Sequence, residues 1–333
     1  MPNQKDVAKL AGVSSASVSR YLTNSNLVSQ EKAEKIQKAI ETLNYKVDTA
    51  AQTLKTGKTH HVSILVPGSA PFYWVTIQGI QQRLSKAGYY SSSLFTRQVT
   101  PDLPYNPHLL HRLINSNNIE AFIHFPLNSE EDTLLSNRIK KLHKNVLIID
   151  KTSENSEIPC IIFDNYGAGR YAAKEIVKKG HTKIALLQGD AIFQSSIDRS
   201  QGFIDGLVEE GIFLQKDAII QTSYTAEVAY PLFLKMKLPE FTAILAPNDT
   251  TSIAFLKAAK KRGICCPKDF ELISFDNNIE YTPYTTPSIS SFDQPVLEAG
   301  IKAAEYVLKM IEGKDVPPTT ILPLTLVRRE SFS

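Results

Sequence analysis

Residues 4–22 read QKDVAKLAGVSSASVSRYL, and the meaning of the rest of the chain turns on them. Val7, Leu10 and Ala11 recur at helical spacing, which predicts a short helix with one apolar face. Asn3 is placed to cap it, and Asp6 stands in the first turn, where the helix dipole favours negative charge. Gly12 supplies the left-handed residue that ends such a helix. Val13 then packs back, and Ser14 is placed to cap a second helix whose buried edge is Val18 and Leu22. What remains outside that edge is Ser15, Ala16, Ser17, Ser19 and Arg20. A surface of small hydroxyls with one guanidinium can lie close against a nucleic-acid backbone, as the second helix of a helix-turn-helix does. The same residues also describe an ordinary helical hairpin, and alone they leave both readings open.

Outward from this pair, Ser29 and Glu31 open a third helix in which Ala33, Ile36, Ile40 and Leu43 form an apolar stripe. Lys32, Lys35, Gln37, Lys38 and Glu41 lie on its other face. Val7, Leu10, Val18, Leu22, Ile36 and Ile40 are the expected core of a three-helix unit. Charge is unevenly spread. Residues 1–60 carry nine Lys/Arg against five Asp/Glu, or +4, whereas the remainder carries 28 against 29, or −1. The excess positive charge thus sits with the segment suspected of reading DNA. Next comes DTAAQTLK (48–55), alanine-rich with a single large apolar residue, Leu54. A helix this short is marginal in water unless a partner orders it, and Gly57 marks a linker.

From His61 the texture changes. Apolar runs VSILVP (62–67), SSSLF (91–95), AFIHF (121–125), VLIID (146–150), CIIFD (160–164), IALLQ (184–188), AIIQT (218–222), AILAP (243–247) and LISFD (272–276) alternate with helical segments. Continuous apolar strands alternating with helices predict parallel sheets covered on both faces. There are too many strands for one sheet, and the pattern restarts near Cys160, so two similar α/β halves are expected. ILPLTLV (321–327) can return a strand to either half. Ligands of such folds bind beyond the carboxyl ends of the strands, where two sets of ends can face one cleft. Acids, amides and aromatics stand there: Phe72, Tyr73, Phe125, Asp150, Phe163, Asp190, Asn248, Asp249, Asp276 and Asn277.

Composition narrows the classes. Charged residues at 21% and hydrophobic ones at 42% suit a globular chain and argue against disorder. There is no apolar leader and no run of eighteen apolar residues, so a soluble, cytoplasmic protein without membrane contact is expected. Cys160, Cys265 and Cys266 fit neither a disulfide framework nor a metal site and read as buried free thiols.

Taken together, the segments resemble the LacI/GalR family of transcriptional regulators over essentially the whole length. The likeness runs through DVAKLAGVSSASVSRYL, VSQEKAEKIQKAIETLNY, AAQTLKTGKT, IIFDNYGAG, KKGHTKIALL, SSIDRSQGF, APND, LISFDN and LVRRES, in family order. The fold that the resemblance implies is an all-α helix-turn-helix headpiece (1–46), a hinge helix and linker (47–59), and a two-lobed α/β core resembling periplasmic binding proteins (60–333). The core's two parallel-sheet, Rossmann-like subdomains would span about 60–160 with 291–322, and 161–290 with 323–333. The function implied is that of a homodimeric regulator, most often a repressor, that binds a palindromic operator in double-stranded DNA. A small effector, expected to be a carbohydrate or derivative, would control it from the cleft.

By the same resemblance, Ser15, Ala16 and Arg20 face base edges, while Ser14, Ser17, Ser19 and Asn24 lie nearer phosphates. Arg20 is then the candidate for a bidentate guanine contact worth roughly 1–3 kcal/mol of discrimination. Ser15 and Ala16 are shorter than the pair some family members carry. Leu54 would wedge between base pairs in the minor groove, with Ala51 allowing close approach and Lys55 beside phosphate. The effector positions fall on Phe72, Tyr73, Asp150, Phe163, Arg199, Asn248 and Asp276. Gly68 and Ala70 depart from the family pattern.

Two other classes fare worse. Gly167-Ala-Gly169-Arg-Tyr-Ala172 matches a dinucleotide fingerprint, but Asp164, Asn165 and Tyr166 separate it from the strand. Neither a nucleophile elbow, a Walker loop, an HExxH helix nor a histidine cluster occurs, so no enzyme, cofactor or metal is expected. A sugar-transport protein does not explain the basic amino-terminal helices.

Overall fold

The computed structural model describes residues 2–23, 27–45, 58–97, 107–235, 241–278 and 280–333. Asn24 and the expected hinge positions Ala51, Leu54 and Lys55 lie outside them. The chain divides into two compact units, Met1–His60 and His61–Ser333.

The first unit holds α1 (Gln4–Ala11), α2 (Ser15–Thr23) and α3 (Gln30–Leu43). Asn3 Oδ1 accepts from the amides of Lys5 and Asp6 at 2.8 and 3.2 Å, and Asp6 Oδ2 accepts from the Asn3 amide at 2.8 Å. This reciprocal box satisfies donors that a helix start leaves bare. Gly12 turns left-handed (φ +65°), and the Ser17 amide donates to Ser14 Oγ at 3.1 Å. The core is Val7, Ala8, Ala11, Val18, Ile36 and Ala39, with Leu22 and Ile40 partly buried against it. Leu10 corrects the sequence reading, because it is 52% exposed. The buried face centres on Ala11 with Val7 and Ala8 beside it, and Leu10 lies one residue, about 100°, around the helix. Ser29 is a second correction: its backbone is extended at the start of α3, but its hydroxyl caps nothing.

The second unit contains two six-stranded sheets. The first pairs β1 (His61–Val66), β2 (Tyr90–Phe95), β3 (Ala121–His124), β4 (Asn145–Ile149), β5 (Cys160–Phe163) and β11 (Thr319–Leu322) in the order β11-β5-β4-β3-β1-β2, all parallel. The second pairs β6 (Ile184–Gln188), β7 (Ile219–Gln221), β8 (Ala243–Leu245), β9 (Glu271–Asp276), β10 (Ser290–Asp293) and β12 (Thr325–Val327) in the order β12-β10-β9-β8-β6-β7. Only β12 runs antiparallel to its neighbour there.

Alternate residues of β1 feed two cores. Val62, Ile64 and Val66 pack with α4 (Pro71–Lys86) and α11 (Val296–Ile311), while Leu65 packs with α5 (Pro107–Asn115) and α6 (Glu130–Lys141). β6 divides likewise between α7 (Asn165–Lys178) with α8 (Gln194–Glu209) and α9 (Ala226–Lys235) with α10 (Asp249–Lys261). Burial on both faces is why these strands read as unbroken apolar runs.

The chain crosses between lobes after β5, after β10 and between β11 and β12. The subdomain edges expected near 160 and 291 therefore move. β5 belongs wholly to the first lobe and β10 wholly to the second, because Cys160–Phe163 pairs with β4 and Ser290–Asp293 with β9. The tail gives one strand to each lobe. Cys265 departs from expectation too, being exposed while Cys160 is buried.

The Gly-Ala-Gly segment serves helix packing. A Cβ on Gly169 would fall 2.3 Å from the Arg199 carbonyl oxygen, and one on Gly202 would fall 2.0 Å from that of Tyr166. The glycines thus let α7 and α8 approach backbone to backbone. Gly79 and Gly300 do the same for α4 and α11.

Candidate DNA-reading and effector sites

In the amino-terminal unit, α2 presents Ser15, Ala16, Ser19 and Arg20 together on one exposed face. Val18, on the opposite side, is fully buried. Ser14 and Ser17 are partly committed, since their hydroxyls pair at 3.0 Å while Ser14 caps α2. Gln4 Nε2 donates to the Ser15 carbonyl at 3.2 Å and ties α1 to the start of α2. Tyr21 fixes the other end by donating to Gln37 Oε1 at 2.5 Å. The result is a helix tied to α1 and α3 that offers short side chains and one guanidinium, the geometry that permits close approach to a duplex.

In the core, strand ends from both lobes meet. Phe72 packs edge-on against Tyr73, Phe125 and Phe163, with centroids 5.3, 6.3 and 5.7 Å apart. Tyr73, Phe125 and Phe163 are buried in the first lobe's core, and half-buried Phe72 on top of them keeps ring surface for the apolar side of a ligand. Facing it, Arg199 reaches in from α8 and is only 5% exposed. Its Nε donates to Asn165 Oδ1 at 2.8 Å and its Nη1 to the Pro247 carbonyl at 2.7 Å. The guanidinium lies 4.4 Å over the Phe275 ring, and Nη1 is 3.7 Å from Asp276 Oδ1. A surface salt bridge is thereby excluded as the role of Arg199.

Asp150 follows β4 and Asp276 ends β9, with φ +69° and +97°. Left-handed backbone at an aspartate is uncommon and costs energy unless its surroundings impose it. Asp276 caps no helix; Gln294 Nε2 donates to its Oδ1 at 2.8 Å. The next residue, Asn277, is also left-handed (φ +49°), held by Arg329 on its Oδ1 at 2.7 Å and by Asp293, which accepts from its Nδ2 at 2.9 Å. Burial pushes the Asp150 carboxyl up to about 7; Arg199 opposes the rise, and Asp276 and Asp198 add to it. Asp276 is likewise raised by burial, against the pull of Arg199 and Gln294. These mutual influences place acids from both lobes around one guanidinium.

The sequence-expected residues Phe72, Tyr73, Phe163, Asp150, Arg199 and Asp276 come together here. Asn248 stands differently. Its Oδ1 caps α10 by accepting from the Thr251 amide at 2.9 Å, and its Nδ2 donates to the Tyr224 carbonyl at 3.3 Å. It positions Tyr224 more than it offers free groups. Tyr224 and Gln294 were missed. Tyr224 sits edge-on to Phe193 at 5.0 Å, and its hydroxyl is pushed up by burial, with Arg199, Asp276 and Asp150 all acting on it. It follows β7, so the strand-end rule applied to AIIQT would have found it. At the rim, Asn128 of the first lobe donates from its amide to the Ile192 carbonyl at 2.7 Å and from Nδ2 to that of Ala191 at 3.2 Å. Among the described residues, no group of His, Cys, Asp and Glu is arranged to hold a metal, and no helix is long and apolar enough to cross a membrane.

Comparison with known proteins bears on the fold of both units. The profile of bacterial regulatory proteins of the lacI family matches residues 4–48, and that of the periplasmic binding protein-like domain matches residues 173–332. Together they cover more than half of the chain. The chain belongs to the LacI family. Among curated LacI-family relatives, the HTH-type transcriptional repressor PurR of Aliivibrio salmonicida is 28% identical, with 94% of this chain and 93% of that protein aligned. The fold matches the lac repressor dimer bound to operator and the anti-inducer ONPF at a TM-score of 0.81, with 22% identity and 99% of each chain covered. It also matches a complex of the regulator CelR with cellobiose at 0.74, with 22% identity, 99% of this chain and all of the other. The protein is therefore a DNA-binding transcriptional regulator of LacI type.

Proposed function

We propose that this protein represses transcription in the cytoplasm as a homodimer on a palindromic operator and that a carbohydrate effector seated between the core lobes controls its DNA binding. Ser15, Ala16 and Arg20 read base edges, and Ser14, Ser17, Ser19 and Asn24 approach the backbone. Ala51, Leu54 and Lys55, in the segment 47–59, engage the minor groove. Phe72, Tyr73, Asp150, Phe163, Arg199 and Asp276 hold the effector, with Asn248 supporting them. Residues 1–46 form the headpiece and 60–333 the sensor. The observation that supports this reading is that buried Arg199 lies 3.7 Å from Asp276 in the second lobe and acts on Asp150 at a strand end of the first, where Phe72 also stands. Carboxylates that accept from hydroxyls, beside ring faces for the apolar side of a pyranose, suit a sugar.

A thermal-shift screen of the full chain against sugars identifies binders, because ligand binding to the native state raises its melting temperature. Arg199→Ala should then retain operator affinity within about threefold, a change well under 1 kcal/mol, yet lose the effector response. An unchanged effector dose curve in an operator-binding titration would overturn the assignment.

A further inference from the structure

Resting on that cleft, we infer that the effector is an amine-bearing sugar or polyol bound as its cation, rather than a neutral sugar or a phosphate ester. The inference starts from a charge imbalance. Arg199 Nη1 lies 3.7 Å from Asp276 Oδ1, and the charges of Asp276 and Asp198 both reach Asp150, with Arg199 the cation that opposes them. Other nearby cations are engaged elsewhere. Lys151 donates to the Leu127 carbonyl at 3.3 Å, and Arg97 pairs with Asp132 at 2.8 Å. Asp249 deepens the imbalance from behind. It is fully buried, accepts from Ser291 Oγ and the Asn278 amide at 2.7 and 2.8 Å, and is itself affected by Asp276.

Arg199 is poorly disposed to grip an anion. Two of its donors are spent on Asn165 and Pro247, one face lies on Phe275, and its charge is shared with Asp276. A phosphate would bring further negative charge to carboxylates already short of a counterion.

The hydrogen-bonding balance points the same way. Asp150 Oδ1 is shut off from solvent without a partner, and so is Gln294 Oε1, on a residue only 4% exposed whose Nε2 already holds Asp276. Both atoms are acceptors, and an ionised carboxylate can do nothing but accept. A ligand that meets these two acceptors does so by donating. A sugar hydroxyl supplies one proton and no charge, whereas an ammonium supplies three donors and the positive charge that the enclosed acids lack. Burial already drives Asp150 up to about 7, the response of a carboxyl kept from water without a full counter-charge. A cation beside it removes the reason for that rise.

The test is a set of matched triplets on gluco, galacto and manno scaffolds: the amino sugar, its neutral parent and its 6-phosphate. Each is titrated against the full chain at pH 7.5 by thermal shift and calorimetry. On at least one scaffold the amino sugar should bind tenfold or more tightly than its parent, with no phosphate binding. Asp150→Asn should bring the amino sugar down to the affinity of the parent, its melting curve confirming that it folds. A parent or a phosphate that binds as tightly as the amine overturns the charge inference and leaves the sugar cleft standing. A panel in which nothing binds overturns both.

Discussion

In the first lobe, the start of α4 brings half-buried Phe72 to the strand ends, backed by the core rings of Phe125 and Phe163, and Asp150 is the one effector-site carboxylate it provides. In the second lobe the strand ends bring Asp276, Tyr224 and Gln294 and α8 brings Arg199, each engaged in directional bonds or charge. The two lobes nevertheless share one plan: a six-stranded sheet, cores on both faces, and a helix pair drawn together by glycines. Duplicated architecture fixes where strand ends fall, while the residues placed there are free to diverge. One lobe therefore offers a surface and the other a pattern of donors and acceptors. Binding in such a cleft needs both, because apolar burial supplies affinity without orientation, and charged hydrogen bonds supply orientation and are costly to leave unmade.

The shared plan can be broken most directly at the glycines. A Cβ at Gly202 would lie 2.0 Å from the Tyr166 carbonyl oxygen, and one at Gly300 would lie 2.1 Å from that of Thr76. In both places the obstacle is helix backbone, which cannot swing aside as a side chain can. Gly202→Val and Gly300→Val should each cost about 3 kcal/mol or more, at the upper end of what overpacking costs, measured by urea unfolding. A loss at one position with none at the other would show that the two helix pairs are not equivalent.

The residues behind this comparison were legible to different degrees. The alternation of apolar strands with helices carried the two-lobed plan, because burial on both faces writes itself into the composition of each strand. Arg199 and Asp276 were legible from motif position. Tyr224 was legible too, two residues past AIIQT, although it was passed over. Gln294 was not, because β10 reads Ser-Ser-Phe-Asp, in which both serines bury their hydroxyls in bonds, Ser290 to Arg329 and Ser291 to Asp249. A strand that satisfies its side chains internally looks like a loop in sequence. Leu10 failed for the opposite reason: apolar spacing was present, but three small or branched residues already filled the face. The helix-packing role of Gly169 was hidden because its contact is with Arg199, thirty positions on.

The division between surface and pattern sharpens at two side chains. Asp276→Asn removes a charge that faces Arg199 at 3.7 Å and accepts from Gln294. Charged hydrogen bonds of this kind are worth about 1.5–3 kcal/mol, so effector affinity should fall roughly 100-fold. Phe72→Ala removes half-buried ring surface and leaves Phe125 and Phe163 in place, so a loss of about tenfold is expected, near 1.4 kcal/mol. Calorimetry with a binder from the sugar screen checks both. Equal losses would mean that the lobes do not divide the work in this way.

A titration probes the one acid that the aromatic lobe contributes. Asp150 is raised from an ordinary carboxylate value near 3.8 up to about 7 by burial. The folded state therefore holds this proton over a range in which the unfolded chain has released it. Stability rises with pH only where the unfolded state binds more protons. Here the folded state binds more, so the contribution of Asp150 falls as pH climbs from about 4 to about 7 and is level above that. Asp150→Asn keeps the shape of the side chain and removes the titration. It should melt close to the parent protein at pH 4 and at a higher temperature at pH 8, with the gain opening between those values and no further change above pH 7. A constant difference across the range would mean that Asp150 carries its charge unopposed in the folded protein, and with it the imbalance between the lobes would lose its first-lobe member.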